Sequence, residues 1–425
     1  MAKTKEKSLN YDTSQNSLMI CHLLDVIVKL FVSTFLVAHI YSFNGNTYEY
    51  LLNVGIYNMC HYLAMMLFYN PISKVVDRTN RIGAYRFSLV LKSILVIIII
   101  FFGKELSKLL VLAGLMYGTA NAFYYASYNV IKQEMVSRRN MNNFVANNNI
   151  LTKLIDIVCP VILGLLIDIT TYSMVAILVL AICVVQVIFS LRIKSKRPEN
   201  SGFDMKGFFK KIKEHPIAFK KAKIVYLLCI LYSSFALTST IINVCIMLET
   251  GSSFSLGALT SIFAVLSIIT LIIIKKFTKP AKRLWLFILS SILPIFAGIY
   301  FIIDMNAISI IILNGAISIT STIKTYLLDL YRNGILKDAG LYSEISEHQA
   351  MSEFCLNISR TLAFGLLMIV ALFRSIIVFK VFAIITIVVG SVVYLILHYY
   401  EKTYHNDDSL LCGKTLEESN EIKSE

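Results

Sequence analysis

Charged residues are scarce in this sequence: they make up 16% of the 425 residues, while 57% are hydrophobic and the mean hydropathy is +0.70. A water-soluble globule cannot bury that much apolar surface, so the composition excludes one and indicates a bilayer as the solvent. Alternating polarity over about ten residues, the mark of a membrane β-strand, is lacking as well, for example in the apolar run 94–102. Helices are therefore the expected spanning structure.

Several short motifs are lacking too. The eight cysteines have no paired spacing, and seven of them lie in or beside apolar runs, which argues against a disulfide framework and a metal site. No Gly-rich phosphate loop with its lysine occurs, so an ABC exporter is excluded. The apolar runs contain no His-Asp, Glu-x-x-His or nucleophile motif, and we expect neither an enzyme nor a cofactor. The first run lacks a small-residue cleavage site and is expected to be a retained helix.

Twelve apolar runs are long enough to cross a bilayer as helices of about 20 residues. We predict an all-α membrane protein with spans near 17–43, 49–72, 84–103, 107–130, 147–168, 172–192, 224–247, 252–274, 284–302, 306–330, 348–370 and 375–399. Five of the spans in each half match a span about 200 residues away, which suits a parallel repeat. The predicted parts are a tail (1–16), a six-helix bundle (17–192), a linker (193–223), a second six-helix bundle (224–399) and a tail (400–425).

Basic residues are distributed unevenly among the predicted loops. With the N-terminus inside, the cytoplasmic segments hold 31 of the 40 Lys and Arg residues, and the outer loops hold four. The positive-inside rule then predicts a multi-pass protein of the cell membrane with both termini in the cytoplasm. Basic loops facing anionic lipid explain the net charge of +14 without nucleic acid. We expect a monomer whose partners are a small or lipid-like substrate and the lipids of the anionic cytoplasmic leaflet.

The linker holds the largest basic block, with eleven Lys and Arg residues over 192–223. Four of its apolar residues share one helical face: Met205, Phe208, Phe209 and Ile212. This pattern predicts a short helix that lies on the cytoplasmic leaflet and stops at Pro216. A solvated tether without a defined helix is the alternative.

The loop between the second and third predicted spans reads SKVVDRTNRIG over residues 73–83. It resembles the signature loop of the major facilitator superfamily, in which a glycine precedes an Asp-Arg-x-Gly-Arg core. Three charged residues match that core: Asp77, Arg78 and Arg81. Ser73 and Asn80 replace the two glycines. Because asparagine tolerates a left-handed backbone, we expect the tight turn to be kept at Asn80.

The resemblance implies two six-helix bundles that move a small organic solute by alternating access. It also implies that Asp77, Arg78 and Arg81 form a conformational latch, with an ordinary positive-inside turn as the alternative. The corresponding loop of the second half, 275–283, is basic and has no acid, so this latch would be one-sided. The Pro160 to Gly164 stretch resembles part of an antiporter pattern without its other glycines, which leaves import and export both open.

Ionisable groups inside a membrane span are costly and therefore mark candidate sites. Asp25 and Lys29 lie four residues apart in the first span, and a contact between them that changes with conformation could move a proton. This pair is our candidate for proton coupling, and we expect Asp25 to face the central cavity. Two further acid–base pairs have spacings that permit intrahelical ion pairs, or simple snorkelling: Lys153 with Asp156, and Glu353 with Arg360.

Uncharged polar and aromatic side chains predict the cavity wall, and the resemblance places the first, fourth, seventh and tenth spans around it. The candidates are Tyr57, His61, Asn121, Tyr124, Tyr128, Ser234, Thr238, Asn314 and Ser318, with Lys324 beside them. Small polar residues also pack membrane helices, and a lone histidine such as His61 often packs as well.

Two questions of function stay open in the sequence. Aromatic residues favour a drug-like or lipid-like substrate, whereas Lys29 and Lys324 favour an anionic one if both face the cavity. A different class of function is a non-transporting scaffold or sensor that keeps the transporter fold and holds a partner through its basic linker. Of these two classes of function, we expect a secondary transporter that is driven by protons or another gradient.

Overall fold

The computed structural model describes residues 2–43, 46–78, 80–136, 138–194, 202–232, 234–274, 280–339, 341 and 344–404. Within these ranges the chain is helical, and they contain no strand. Twelve helices in them are long and apolar enough to cross a membrane, and each overlaps a predicted span. The prediction of an all-α membrane protein with twelve spans is therefore confirmed.

Six spans precede the linker, and we call them the N-terminal half. Helix α1 (Ala2–Lys29) continues through a π-helical segment (Leu30–Phe35) into α2 (Leu36–Ser42), and together they supply the first span. The other five are α3 (Thr47–Arg78), α4 (Arg81–Phe102), α5 (Leu110–Met135), α6 (Arg138–Ile169) and α7 (Tyr172–Ser190). A short 3₁₀ segment (Gly103–Leu109) leads into α5.

The linker contains one helix, α8 (Met205–Lys213), and six spans follow it as the C-terminal half. Helices α9 (Pro216–Tyr232) and α10 (Ser234–Thr250) make up one span. The others are α11 (Ser253–Ile274), α12 (Pro280–Ile303), α13 (Ala307–Ala339), α14 (Ile345–Leu372) and α15 (Ile376–Tyr404). We call the end of the bundle that carries α8 the linker end and the opposite end the far end.

Helices α6 and α11 join the two halves, and glycine lets them approach closely at the far end. A Cβ atom added to Gly257 would lie 2.1 Å from the carbonyl oxygen of Pro160, and one added to Gly164 would lie 2.4 Å from the carbonyl oxygen of Ser253. Small residues at a helix interface allow this contact between backbones. Gly164, which the sequence placed in an antiporter-like pattern, therefore has a packing role between the halves.

The second junction between the halves pairs α3 with α14. At its linker end, apolar side chains of α3 such as Tyr69 and Val76 share a buried cluster with Ala350 of α14 and with Phe203 of the linker. The linker is thus part of the packed interface and not a tether beside it. This junction and the one between α6 and α11 enclose the space in which the candidate site lies.

Helix α8 forms where the linker pattern predicts a helix, and it ends before Pro216. Its placement on the leaflet was wrong, because the apolar face packs on the protein. Phe208 and Ile212 are 0% and 1% exposed, and the Phe208 ring lies 6.3 Å from the ring of His348 in α14. A groove of apolar side chains removes that face from water more completely than lipid headgroups would. The lysines of α8 stay exposed: Lys206, Lys210, Lys211 and Lys213.

Candidate functional site

A cavity of about 530 Å³ lies between the two halves, toward the linker end of α6 and α13. Helix α6 contributes Asn149 and Lys153 to its wall, and α14 contributes Arg360. Helices α10, α11 and α13 add hydroxyl groups: Ser239, Ser267, Ser321, Thr322 and Thr325. The wall therefore holds charged and hydroxyl groups inside a membrane-spanning bundle, where such groups are costly, and this makes the cavity the candidate site.

One of the two predicted acid–base pairs at this cavity is formed and the other is not. Lys153 Nζ lies 3.1 Å from Asp156 Oδ2. Arg360 does not reach Glu353, and its Nη1 instead donates to Asn357 Oδ1 at 3.5 Å. Asn357 in turn donates to the backbone oxygen of Glu353 at 2.7 Å. Seven residues separate Glu353 from Arg360, and the side chain of Asn357 occupies the turn between them.

Arg360 is the cation of the cavity wall that lacks a carboxylate. Among the described residues it forms no ion pair. Its guanidinium lies over the ring of Tyr62, 5.1 Å from the centroid, which holds it by a cation–π contact. Its Nε is buried without a hydrogen-bond partner. A guanidinium that lines a cavity and has no carboxylate partner can bind an anion from the solvent.

Lys29 of α1 lies outside the cavity wall. Its side chain is exposed, and it lies within electrostatic range of both Asp25 and Arg360. The π-helical segment begins at the next residue, and Ser33 Oγ donates to the Lys29 carbonyl oxygen at 2.6 Å. Such π-helical turns occur often at functional sites, because they re-aim the side chains around them. Lys324, the other lysine that suggested an anionic substrate, is 0% exposed in α13.

Asp25 lies inside the N-terminal half, where it is 3% exposed. Its partner is Lys92 of α4, whose Nζ lies 2.6 Å from Asp25 Oδ1. The expectation that Asp25 pairs with Lys29 and faces the central cavity is thus corrected. A carboxylate is short, and the long side chain of Lys92 reaches it from α4. Lys92 was missed, although it is the one charged residue of its span between 87 and 103 and so required an acid nearby.

Aromatic and imidazole groups surround the ion pair between Asp25 and Lys92. Lys92 Nζ lies 4.2 Å from the centroid of the Tyr124 ring. The Tyr124 hydroxyl and His22 Nδ1 are 2.9 Å apart, and the His22 ring stacks on Tyr128 at 4.6 Å. Tyr124 and Tyr128 therefore pack around a buried polar network within the N-terminal half. This is a different environment from the cavity wall that the sequence predicted for them.

The remaining aromatic and amide candidates of α3 and α5 are also packed within this half. The Tyr57 hydroxyl donates to the Val32 carbonyl oxygen at 3.0 Å, which ties α3 to the π-helical segment. His61 Nε2 and Asn121 Nδ2 are 3.1 Å apart, and both residues are buried. The His61 ring also lies against Tyr117. These contacts favour the packing alternative for His61.

The candidates of the C-terminal half have mixed surroundings. Thr238 is 3% exposed, and Asn314 and Ser318 are half-buried. The side chain of Ser234 lies outside the described residues. On α13 the cavity wall is formed by Ser321 and Thr325, which lie one and two turns beyond Ser318 in the direction of the linker end.

Asp77 of the signature loop, itself bound by Arg81, holds the linker to the N-terminal half. Asp77 Oδ1 accepts from Arg81 Nη2 at 2.7 Å, and Asp77 Oδ2 accepts from the Phe203 backbone N–H at 2.8 Å. Arg81 also forms an ion pair with Glu134 at the end of α5, a partner that the sequence did not reveal. Arg78 is exposed. The carboxylate of Asp77 thus meets the chain just before the N-terminus of α8, where it complements the helix dipole.

Asn80 does not have the left-handed backbone that was expected of it. Its φ and ψ are −113° and 98°, an extended conformation, and its side chain accepts from the Gly83 N–H at 3.0 Å. Asn80 is therefore the N-cap of α4. In the corresponding loop of the second half, residues 275–279 lie outside the described ranges. The prediction that only the first half carries a latch depends on this loop and stays a prediction.

The linker is also bound to the C-terminal half. The Asp204 N–H donates to Glu347 Oε1 of α14 at 2.9 Å. Lys211 of α8 forms an ion pair with Glu344, and this hydrogen bond raises the pKa of Lys211. Because Asp77 binds residue 203 and Glu347 binds residue 204, two adjacent backbone groups connect both halves at the linker end.

Asp168 forms the corresponding polar contact at the far end. This residue of α6 lies at the start of α11, where its Oδ1 accepts from the Ser253 N–H at 2.9 Å and its Oδ2 from the Phe254 N–H at 2.9 Å. The Ser252 hydroxyl donates to Oδ2 at 2.7 Å. A carboxylate of one half thus caps a helix of the other half. Sequence reasoning missed it, because a cap from another part of the chain leaves no local pattern.

A polar cavity between two helical halves, with breakable contacts at both ends, defines the class of membrane transporters and not a class of enzymes. The chain belongs to the Major Facilitator Superfamily, whose profile matches residues 18–337. A comparison with curated proteins found no match.

Solved transporter structures share the fold at low sequence identity. A POT family transporter in complex with 5-aminolevulinic acid has a TM-score of 0.67 and 12% identity, with 92% of this chain and 96% of that chain covered. A point mutant of the nucleoside transporter NupG has a TM-score of 0.65 and 13% identity, with 92% and 97% covered. A bacterial homolog of the human lysosomal transporter Spinster, inward-facing and unoccupied, has a TM-score of 0.62 and 12% identity, with 93% of this chain and 98% of that chain covered.

Proposed function

We propose that this protein is a secondary transporter that moves a small organic anion by alternating access. The observation that carries the proposal is the cavity between the halves, whose wall holds Arg360 without a carboxylate partner beside Lys153. Lys29 lies outside this wall and within electrostatic range of Arg360. Lys153 is paired with Asp156, so the basic groups outnumber the acid there. An uncompensated charge inside a membrane span is costly, and a bound anion would offset that cost.

Alternating access requires contacts between the halves that form and break in turn, and both ends of the bundle have such contacts. The cap of α11 by Asp168 supports closure of the far end. The link from Asp77 through residues 203 and 204 to Glu347 supports closure of the linker end. Both consist of short hydrogen bonds to backbone groups, which water can replace when an end opens.

The linker end is proposed to face the cytoplasm of a cell-membrane transporter, on the asymmetry of the basic residues. In a cysteine-free background, Lys108→Cys in the far-end 3₁₀ segment is expected to react with a membrane-impermeant maleimide on intact cells. Lys213→Cys in α8 is expected to react only after the cells are permeabilised. The opposite order of reactivity would overturn this topology.

Proton coupling is proposed for the ion pair between Asp25 and Lys92. Both side chains are buried, and the Tyr124 and His22 network beside them supplies groups that can hand on a proton. A buried acid that loses its proton only while Lys92 is near can link protonation to a movement of α1 against α4.

Counterflow in liposomes tests the transported class. Liposomes that contain the purified protein are loaded with one unlabelled solute at a time, from a panel of organic anions, neutral solutes and cations. Uptake of the same solute in labelled form is then measured. We expect exchange of anions alone, reduced at least about ten-fold by Arg360→Gln, since a hydrogen bond to a charged group contributes about 1.5–3 kcal/mol. Arg192→Gln, at the exposed start of the linker, is the matched control. Absence of exchange with every solute would favour the scaffold or sensor.

Asp77→Asn is expected to slow transport about ten-fold while expression stays near normal. The amide can still accept from the Phe203 N–H, but it loses the ion pair with Arg81, and charged hydrogen bonds contribute about 1.5–3 kcal/mol. Initial rates of counterflow in proteoliposomes measure the effect. Arg78→Gln, on the exposed neighbour, is the control. Wild-type rates in Asp77→Asn would leave the loop with a role in topology alone.

A further inference from the structure

A crevice runs between α6 and α11 at the linker end, in contrast to the sealed contact of the same two helices at the far end. It has a volume of about 490 Å³, and its walls are apolar, with Ile150 and Leu154 on one side and Ile268 and Ile272 on the other. Ile150, Leu154 and Ile272 are exposed. The glycine contact at Gly257 holds the far ends of the two helices together, whereas the crevice lies nearer their linker ends.

The crevice and the polar cavity adjoin each other. Four residues line both of them: Asn149, Lys153, Leu271 and Tyr326. On the cavity side of these residues lie Arg360 and the hydroxyl groups, and on the other side lie the aliphatic walls. The combined space is therefore cationic at one end and apolar at the other. Its apolar part opens on the surface where the helices face lipid.

We propose that the transported anion is an amphiphile with one acyl chain, which enters sideways from the leaflet at the linker end. Its anionic head, a carboxylate or a phosphate, binds Arg360 and Lys153, and its chain lies in the crevice between α6 and α11. This inference rests on the proposed transport of an anion and names the substrate class of that same site. The positive charge of Arg360, which forms no ion pair among the described residues, selects an anionic head over a neutral one.

The shape of the site explains why a purely soluble anion would use it poorly. A small hydrophilic anion would leave the aliphatic side chains of the crevice facing water or lipid without gain. An acyl chain that moves from the leaflet into the crevice stays in apolar surroundings, so relative to the solute in water the favourable free energy grows with each methylene group. The affinity for a homologous series of carboxylates, referred to their concentration in water, should therefore rise with chain length, and Arg360→Gln should lower it at every chain length.

Photolabelling of the full-length protein in liposomes tests the proposal. The probes are a palmitate analogue and a lysophosphatidate analogue, each with a diazirine in the acyl chain. We expect labelling of the segments around Leu154 and Ile268 that is prevented by excess unlabelled palmitate and not by hexadecanol. Arg360→Gln should raise the concentration of palmitate needed for half-protection at least about ten-fold. Arg192→Gln should leave it unchanged, and a preference for one of the two probes would distinguish the head groups.

Two results would overturn the inference in different ways. Labelling spread evenly over lipid-facing positions such as Leu178, without protection by palmitate, would show that the crevice is not a site. If short carboxylates still exchange in an Arg360-dependent way under those conditions, the anion transporter stands and only the amphiphile falls. If no anion exchanges and no segment is protected, both proposals fall.

Discussion

Asp25→Asn is expected to abolish accumulation driven by a pH gradient while substrate exchange continues. An asparagine cannot carry the proton, whereas exchange does not require the return of an empty, deprotonated carrier. The change also leaves Lys92 buried without its carboxylate, and breaking a buried ion pair costs about 3–5 kcal/mol. The amount of folded protein should therefore fall, and exchange has to be expressed per folded molecule. Uptake with an imposed pH gradient measures accumulation, and uptake without the gradient measures exchange.

The double change Asp25→Asn with Lys92→Met separates a proton carrier from a structural ion pair. It removes the buried unpaired charge, so the yield of folded protein is expected to recover. Accumulation should stay absent if Asp25 carries the proton. Asp304→Asn, in an exposed turn at the far end, is the matched control and should behave as wild type. Recovery of gradient-driven accumulation in the double variant would refute the proton-coupling role.

Gly257→Ala is expected to cause the largest loss of transport among changes at the junction between the halves. A Cβ there would lie 2.1 Å from the Pro160 carbonyl oxygen, so α6 and α11 cannot close at the far end without a shift. Overpacking of this kind costs about 1–3 kcal/mol, and the cost falls on the far-end-closed state alone. The equilibrium between states should move toward the far-end-open state by about ten-fold or more. Initial transport rates and labelling of a far-end cysteine measure the shift.

Gly365→Ala provides the control for this change. It lies in α14, and the nearest side-chain atom to its added Cβ would be Met59 Sδ at 3.7 Å, an ordinary contact. We expect wild-type transport from it. Equal, small effects of the two substitutions would mean that the contact between Gly257 and Pro160 does not control the far end.

The number and position of the spans followed from the sequence because hydropathy acts over whole segments. A helix must satisfy its own backbone groups in lipid, so a long apolar run has one structure available to it. Helix α8 could also be predicted, because the helical spacing of its apolar residues is a local pattern. Its docking on the bundle could not, because the same face suits a leaflet and a protein groove equally well.

The contacts of the site were less predictable, because they join distant parts of the chain. Asp25, Lys153 and Arg360 could be singled out as charges within spans, since such charges are costly. Their partners could not be assigned: the spacing within one helix suggested Lys29 for Asp25, whereas the structure has Lys92. The cap that Asp168 provides also depends on how the two halves meet, and only the fold reveals it.

Alternation of the central cavity between the two sides of the membrane is the central claim, and accessibility of Ser321→Cys tests it most directly. Ser321 lines the cavity, and a cysteine there can be labelled with an impermeant maleimide added to one side of the membrane at a time. Ser290→Cys, at a position that is 0% exposed in α12, controls for non-specific reaction. We predict labelling from both sides, with a ratio that an organic anion substrate changes. Labelling from one side alone under every condition would contradict alternating access.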